Sequence, residues 1–254
     1  MTNIILSGCG GRMGQAIVRE AENSNTYRIL AGVDVNADSV AAACKFPVYQ
    51  TISDFSENAD VIIDFSHHTA ITSLLDYAVK TKTPIVVCTT GHTDEERAKM
   101  AEAAKEIPVF FSGNMSIGIN LLIELCKNAA ATLGLAFDVE IIEKHHNQKL
   151  DAPSGTAIMI ADGIAEQREA TEYVYDRHEV RRKRSSEEIG IHSVRGGTIV
   201  GEHEVIFAGN NEIVSLKHTA MSREIFANGA LRASEYLVGK SAGSYNMSDL
   251  INGR

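Results

Sequence analysis

Between Asn3 and Ser112 the chain repeats one pattern: a short apolar run bounded by turn or charged residues, then a longer amphipathic stretch. The runs Asn3–Ser7, Arg28–Asp34, Asp60–Phe65, Pro84–Cys88 and Pro108–Ser112 are rich in aliphatic and β-branched side chains. Brief runs of this kind read as strands buried on both faces. Between them Met13–Asn23, Ala70–Lys80 and Asp94–Lys105 have the length and amphipathicity of helices. Strand, helix, strand in this order leaves few solutions, because the crossovers lay helices over both faces of a parallel sheet. The expected fold class is α/β, with a Rossmann-like doubly wound parallel sheet. Pro47, Pro84 and Pro108 each open an apolar run, where a missing N–H matters least.

After residue 116 the rhythm changes. Ile117–Leu133 reads as one long helix, Phe137–Ile142 as a strand, and Gly155–Gln167 as a second helix after a polar loop. The charged stretch Arg177–Glu188 is expected to be exposed. Ile191–Arg195, His203–Phe207 and Glu212–His218 alternate polar and apolar residues, which predicts an antiparallel sheet with one covered face. A last helix, Arg223–Val238, returns to the first domain. The expected division is a discontinuous dinucleotide-binding domain, 1–116 and 224–254, around an inserted α+β substrate domain, 117–223, with a mixed or antiparallel open sheet.

A chain of 254 residues has core enough for one large or two smaller domains. Its 44% hydrophobic content, without low-complexity tracts, excludes a disordered chain. The 33 Asp+Glu outnumber the 24 Lys+Arg, and a net charge of −9 disfavours nucleic acid or an anionic membrane as partner. Local basic sites for small anions remain open. No apolar run is expected to approach the ~18 residues that cross a bilayer, and Met1 to Gly8 lacks the basic start of a signal peptide. Cys9, Cys44, Cys88 and Cys126 are too scattered for a CxxC pair or a disulfide framework. A soluble, reduced, cytoplasmic protein is expected.

Gly8-Cys9-Gly10-Gly11-Arg12-Met13-Gly14 joins the first strand to the first helix. Glycines suit a tight turn whose backbone must approach a phosphate, with the helix N–H groups meeting its charge. Gly8 and Gly10 begin the common dinucleotide fingerprint, but its next glycine would fall on Met13; Gly8, Gly11 and Gly14 form a three-residue variant. Asp34 closes the second strand about 20 residues after Gly14, the offset of an acidic residue that holds an adenosine ribose. The alternative is an Asp capping the next helix. An acidic side chain there repels a 2′-phosphate, so the expectation leans to NADH over NADPH, with Arg12 and Lys45 as possible counter-charges. Cys88-Thr89-Thr90-Gly91 and Ser112-Gly113-Asn114-Met115 end two further strands, where backbone and hydroxyl groups can reach a nicotinamide or simply form turns.

The densest chemistry lies in Glu143-Lys144-His145-His146-Asn147-Gln148-Lys149-Leu150-Asp151-Ala152-Pro153-Ser154-Gly155-Thr156-Ala157. Ser154 is the expected N-cap of the helix beginning at Gly155 and Thr156, whose N–H groups suit an anion. Lys149 adds positive charge, and the two histidines can move protons near neutral pH. Zinc binding is the weaker reading, because neighbouring residues on an extended chain point opposite ways and no third ligand lies at suitable spacing. A cysteine nucleophile is also weak, since Cys88 and Cys126 fall in strand-end and helix-core contexts.

His145-His146, Lys149 and Asp151-Ala152-Pro153-Ser154-Gly155-Thr156-Ala157 resemble the signature of the dihydrodipicolinate reductase (4-hydroxy-tetrahydrodipicolinate reductase) family. The resemblance extends over Gly8 to Gly14, Thr89-Thr90-Gly91, Asn114, Arg195-Gly196-Gly197, Gly201-Glu202-His203 and Phe226 to Ala230. It implies a cytoplasmic, tetrameric oxidoreductase of the diaminopimelate route to lysine. It would use NADH or NADPH and no metal to reduce a small cyclic dicarboxylate. On this resemblance His145 and Lys149 are the catalytic proton donors, and His146, Gly155 and Thr156 bind substrate. Gly8, Cys9, Gly10, Gly11, Arg12, Met13, Asp34, Cys88, Thr89, Thr90, Ser112, Gly113, Asn114 and Met115 bind the cofactor. Arg195-Gly196-Gly197 is expected to be a mobile loop near the substrate. The family usually carries Gly where Cys88 stands, and an Arg after Asp34 is lacking. The rival readings are another two-domain dehydrogenase and a non-catalytic NAD(P)-binding sensor; the intact His145, His146, Lys149, Gly155 and Thr156 set argues against the sensor.

Overall fold

The computed structural model describes residues 1–253. The chain runs β1 (Thr2–Ser7), α1 (Arg12–Glu22), β2 (Tyr27–Val33), α2 (Ala37–Ala41), β3 (Val48–Tyr49), β4 (Val61–Asp64), α3 (Ile71–Thr81), β5 (Ile85–Val87), α4 (Asp94–Ala103) and β6 (Pro108–Phe111). It continues through α5 (Ile117–Leu133), β7 (Asp138–His145), α6 (Gly155–Ala165), β8 (Glu172–Val174), β9 (Glu188–Arg195), β10 (Gly201–Ala208) and β11 (Ile213–Ala220). The last elements are α7 (Glu224–Leu237), β12 (Gly243–Tyr245) and α8 (Met247–Asn252). Two compact units result: Met1–Ile117 with the chain from Glu224 onward, and Gly118–Arg223.

In the first unit seven parallel strands lie in the order β12-β6-β5-β4-β1-β2-β3. Successive residues of one strand enter different cores, as a sheet covered on both faces demands. Ile4, Leu6, Val61, Ile63 and Val86 pack with Ala16 and Ile17 of α1 and Ala230 and Leu231 of α7. Ile5, Ile62, Ile85 and Val87 pack with Leu74 and Ala78 of α3 and Met100 and Ala103 of α4. Each fully buried aliphatic side chain contributes about 1.5–3 kcal/mol, which explains the unbroken apolar runs. β3 follows Pro47, which opens an apolar run in the sequence, whereas β12 was not expected, because three residues carry no readable period. Strand order reverses on either side of β1, so the glycine-rich turn after β1 occupies the switch point of the sheet.

In the second unit the order is β11-β10-β7-β9-β8. One face is covered by α5 and α6, with Val139, Ile141, Ile189, Ile191, Val205 and Phe207 meeting Leu122, Cys126, Ile160 and Ile164. The sheet is mixed, as expected, but one of the three segments read as antiparallel is not. β10 is antiparallel to both β7 and β11, but Ile191–Arg195, within β9, runs parallel to β7 and β8. The reason is connection: α6 intervenes between β7 and β9, and parallel neighbours need such a crossover.

The stretch Arg177–Glu188 is not simply exposed. Glu188 is 1% accessible and lies between Arg177 and Arg182. The Ser185 N–H, with Arg182 and Arg177, holds its carboxyl below the usual range. Arg184 pairs with Glu140 at 2.9 Å and Asp138 at 2.8 Å, and donates to the Val139 and Glu188 carbonyls at 2.7 and 2.6 Å. Charge density here therefore marks a partly buried lattice tied to strand ends. The expectation of no long apolar run also needs amending: Ile117–Ala136 is 20 residues with mean hydropathy 1.2, long and apolar enough by length and composition. Its Leu122, Cys126 and Ala130 are buried in the second unit's core, while Leu121 and Leu125 on its other side are exposed.

Candidate active site

In the first unit the chemistry belongs mainly to the backbone. Gly8 has φ of +78°, and a Cβ there would stand 2.4 Å from the Phe65 carbonyl oxygen. A Cβ on Gly14 would stand 2.2 Å from the Gly8 carbonyl oxygen, so α1 can approach β1 only through glycine. Gly11 is the N-cap of α1 without a side-chain cap, and no acidic residue lies in the first turn. That positive helix end suits a pyrophosphate. The Gly10 N–H donates to Asp34 Oδ2 at 2.9 Å, and the Asn36 N–H to Asp34 Oδ1 at 3.0 Å. Asp34 is thus fixed against the turn, with lone pairs to spare for a ribose hydroxyl. These residues fit a dinucleotide.

The other expected cofactor segments follow β5 and β6, at the same carboxyl edge of this parallel sheet. Cys9, Cys88 and Met115 are buried in the first core, so their side chains serve packing and only their main chain can serve a ligand. Met13 also packs against that core, while Arg12, Thr90 and Gly113 are exposed. Thr89 is buried, and the Ser112 hydroxyl donates to the Asn114 carbonyl at 2.8 Å. Lys45, one possible counter-charge for a 2′-phosphate, is paired with Glu22 at 2.9 Å. Burial pushes the Cys9 and Cys126 thiols up to about 12 and also raises those of Cys44 and Cys88, leaving no cysteine poised as a nucleophile.

In the second unit the chemistry belongs to side chains. Along β7 every second residue points inward, placing Glu143 and His145 in line after Val139 and Ile141. Glu143 is fully buried, and its carboxylate accepts from His145 Nδ1 at 2.6 Å, from both Arg195 terminal nitrogens at 2.7 Å and from the Ser154 N–H at 3.1 Å. Burial alone would raise this carboxyl; the His145, Arg195, Ser193 and Ser154 hydrogen bonds outweigh it and hold it well below the usual range. The His203 ring lies edge-on to His145 at 5.2 Å, with Nε2 3.1 Å from Ser154 Oγ. Burial, aided by His145, pushes His203 down to about 4, so it is neutral near pH 7.

Ser154 caps α6 as expected, its Oγ accepting from the Ala157 N–H at 3.1 Å. No acidic side chain lies in the first turn, and Gly155 faces open space. On the loop between His145 and Ser154, His146 is half-buried and Lys149 pairs with Asp151 at 2.8 Å. The loop after β9 is tied to the histidines, because Gly196 N–H donates to the His145 carbonyl at 2.9 Å and Asn147 N–H to the Gly197 carbonyl at 3.2 Å. No cluster of three or more His, Cys, Asp or Glu arranged to hold a metal occurs among the described residues.

Glu143 and His203 had no role in the sequence reading of this site beyond their place in its motifs, and Arg195, expected in a mobile loop near the substrate, is instead bonded to Glu143 and to the Asp151 carbonyl. A signal was present for Glu143: on the inward parity of β7 a carboxylate must find buried partners. Nothing local identifies Arg195 as that partner, because 52 residues separate the two.

The switch-point glycine turn, the uncapped helix and the histidine-lysine loop define a two-unit nicotinamide-dependent oxidoreductase. Family models for dihydrodipicolinate reductase match residues 2–115 (N-terminus) and 118–251 (C-terminus). A 4-hydroxy-tetrahydrodipicolinate reductase of Caldanaerobacter subterraneus subsp. tengcongensis is 51% identical over 99% of this chain and 98% of its own. One of Clostridium novyi is 49% identical over 100% of both chains. The solved structure of a dipicolinate-bound dihydrodipicolinate reductase from Paenisporosarcina sp. TG-14 superposes with a TM-score of 0.82 at 26% identity, covering 97% of each chain. A probable dehydrogenase from Thermotoga maritima, at 13% identity and a TM-score of 0.65 over 98% of this chain and 92% of that one, shares the fold. The chain belongs to the dihydrodipicolinate reductase family and is an NAD(P)H-dependent oxidoreductase.

Proposed function

We propose that this enzyme reduces 4-hydroxy-tetrahydrodipicolinate, or the dihydrodipicolinate derived from it, to tetrahydrodipicolinate in the diaminopimelate route to lysine. The observation that carries the reading is His145, held by a buried carboxylate at the mouth of a loop bearing Lys149 and ending at the α6 N-terminus. The relatives named above act on this substrate by name, and dipicolinate occupies one of them.

When bound, reduced nicotinamide would supply the hydride, two electrons and one hydrogen, for the unsaturated ring. The protein's part is charge and protons. Lys149 can exchange its Asp151 partner for a substrate carboxylate, while Gly155, Thr156 and His146 hold the remaining carboxylate oxygens against the helix end. His145, with Lys149 as the second donor, supplies the proton that completes the reduction. Gly8, Gly10, Gly11, Arg12 and the main chain of Cys9 and Met13 would cradle the pyrophosphate. Asp34 would hold the adenosine ribose, and 88–90 with 112–115 the nicotinamide. Asp34, with Lys45 already engaged by Glu22, favours NADH over NADPH.

We place the enzyme in the cytoplasm as a homotetramer built through the open face of the five-stranded sheet, with 118–223 as the substrate-binding and oligomerising part. Oxidation of NADH by freshly generated substrate tests the activity. Turnover that depends on substrate supports it; NADH binding without turnover would mark a sensor instead. Light scattering on the eluting protein tests the tetramer.

A further inference from the structure

We infer that Glu143, clamped by Arg195, fixes the neutral His145 ring with its hydrogen on Nδ1 and so makes Nε2 the proton-transferring nitrogen. This rests on the proposed reaction and names the atom through which it runs. An ionised carboxylate is acceptor-only, so in the 2.6 Å contact between His145 Nδ1 and Glu143 Oε2 the imidazole must donate. Arg195 keeps that carboxylate ionised in a fully buried place by gripping both oxygens, and the Ser154 N–H adds a fourth contact. None of these donors can be replaced by water at a carboxylate with no exposure.

The other ring nitrogen has been left open. Nε2 makes no hydrogen bond among the described residues, and it lies over Gly201: a Cβ there would stand 3.2 Å from Nε2 and 3.5 Å from Cδ2. Any larger residue at the start of β10 would cover the nitrogen that the Glu143 contact leaves for chemistry. In the proton step, an imidazolium loses the Nε2 hydrogen to substrate, the N–H bond pair remains on Nε2, and the ring returns neutral with its hydrogen on Nδ1. Arg195 also donates to the Asp151 carbonyl at 2.7 Å, so one guanidinium registers the Glu143 carboxylate, and with it His145, against the loop that carries Lys149. Glu143 and Arg195 are positioning residues; neither is required to touch substrate.

The test uses full-length enzyme labelled with 15N-histidine, with His145 signals assigned by their loss in His145→Asn. At a pH where the ring is neutral, the nitrogen shifts should show a protonated Nδ1 and a bare Nε2; the reverse pattern overturns the inference whether or not any Glu143 variant folds. Glu143→Gln should lower kcat by about 10²–10⁴-fold, as loss of a carboxylate orienting a catalytic histidine does. KM and the Kd for dipicolinate should stay within about threefold of wild type. Wild-type kcat in folded Glu143→Gln, alongside an impaired His145→Ala, overturns the positioning role alone. Wild-type kcat in His145→Ala would instead overturn the reaction proposed above.

Discussion

The two units solve the problem of holding a charged ligand in opposite ways. In the first, an anion is expected at main-chain N–H groups exposed by glycines, and only Asp34 contributes a carboxylate. In the second, the candidate site is built from ionisable side chains, one of them a carboxylate with no solvent exposure that persists because His145, Arg195 and Ser154 donate to it. A backbone site tolerates no added atoms. A side-chain site tolerates no lost partner.

That contrast can be broken by measurement. His145→Ala should cost the most, about 10²–10⁴-fold in kcat, with the NADH Kd unchanged by fluorescence titration. Gly10→Val should do the reverse. Its Cβ would meet Val40 at 2.5 Å and Asp34 Oδ2 at 2.9 Å, so NADH affinity should fall by about 10²-fold while dipicolinate still binds. Lys149→Ala removes a charged contact and should raise KM by about 10–10²-fold, with a smaller loss in kcat. Asp34→Ala should narrow the ratio of kcat/KM for NADH over NADPH by about tenfold, since it removes both a ribose partner and a repelling charge.

The smallest expected effect is on stability, and its sign follows from His203. Its folded value of about 4 lies below the 6.5 of a free imidazole. Between these values the unfolded chain binds the extra proton, so the stability contributed by the neutral, buried ring is complete above about pH 6.5 and lost as pH falls towards about 4. The loss is on the order of 3 kcal/mol at most. Glu143, held low, adds a second loss as the pH drops below the ordinary carboxylate range. Urea denaturation from pH 7.5 to 5 should show the first loss in wild type and a flatter profile in His203→Asn. An equal slope in both would assign it elsewhere.

Much of the first unit could be read directly from the chain, because its determinants are local. A buried parallel strand needs an unbroken apolar run, and a tight strand-to-helix turn needs glycine, as Gly8 and Gly14 do here. The edge strand β12 escaped because three residues carry no pattern. In the second unit the N-cap at Ser154 was legible for the same local reason, yet β9 was placed in the wrong sense because alternation reports which faces are covered and is silent on direction. The Arg177–Glu188 stretch was misjudged similarly: charge alone does not distinguish a solvated arginine from Arg184, which binds strand carbonyls and two carboxylates.

By itself the amino-acid order determined the doubly wound sheet, the glycine turn, the family resemblance and the His145 and Lys149 loop. Each is assembled from local motifs, such as a strand-to-helix turn or a capped loop, that secondary structure converts directly into geometry. Only the tertiary structure decided that Arg195 grips Glu143, that His203 sits neutral beside His145, and that Gly201 leaves Nε2 uncovered. Those relations join β7, β9 and β10, strands whose pairing is set by the burial of a whole sheet. A histidine's chemistry depends on what lies within hydrogen-bond reach in space, and residues 52 apart acquire that closeness only when the sheet has formed.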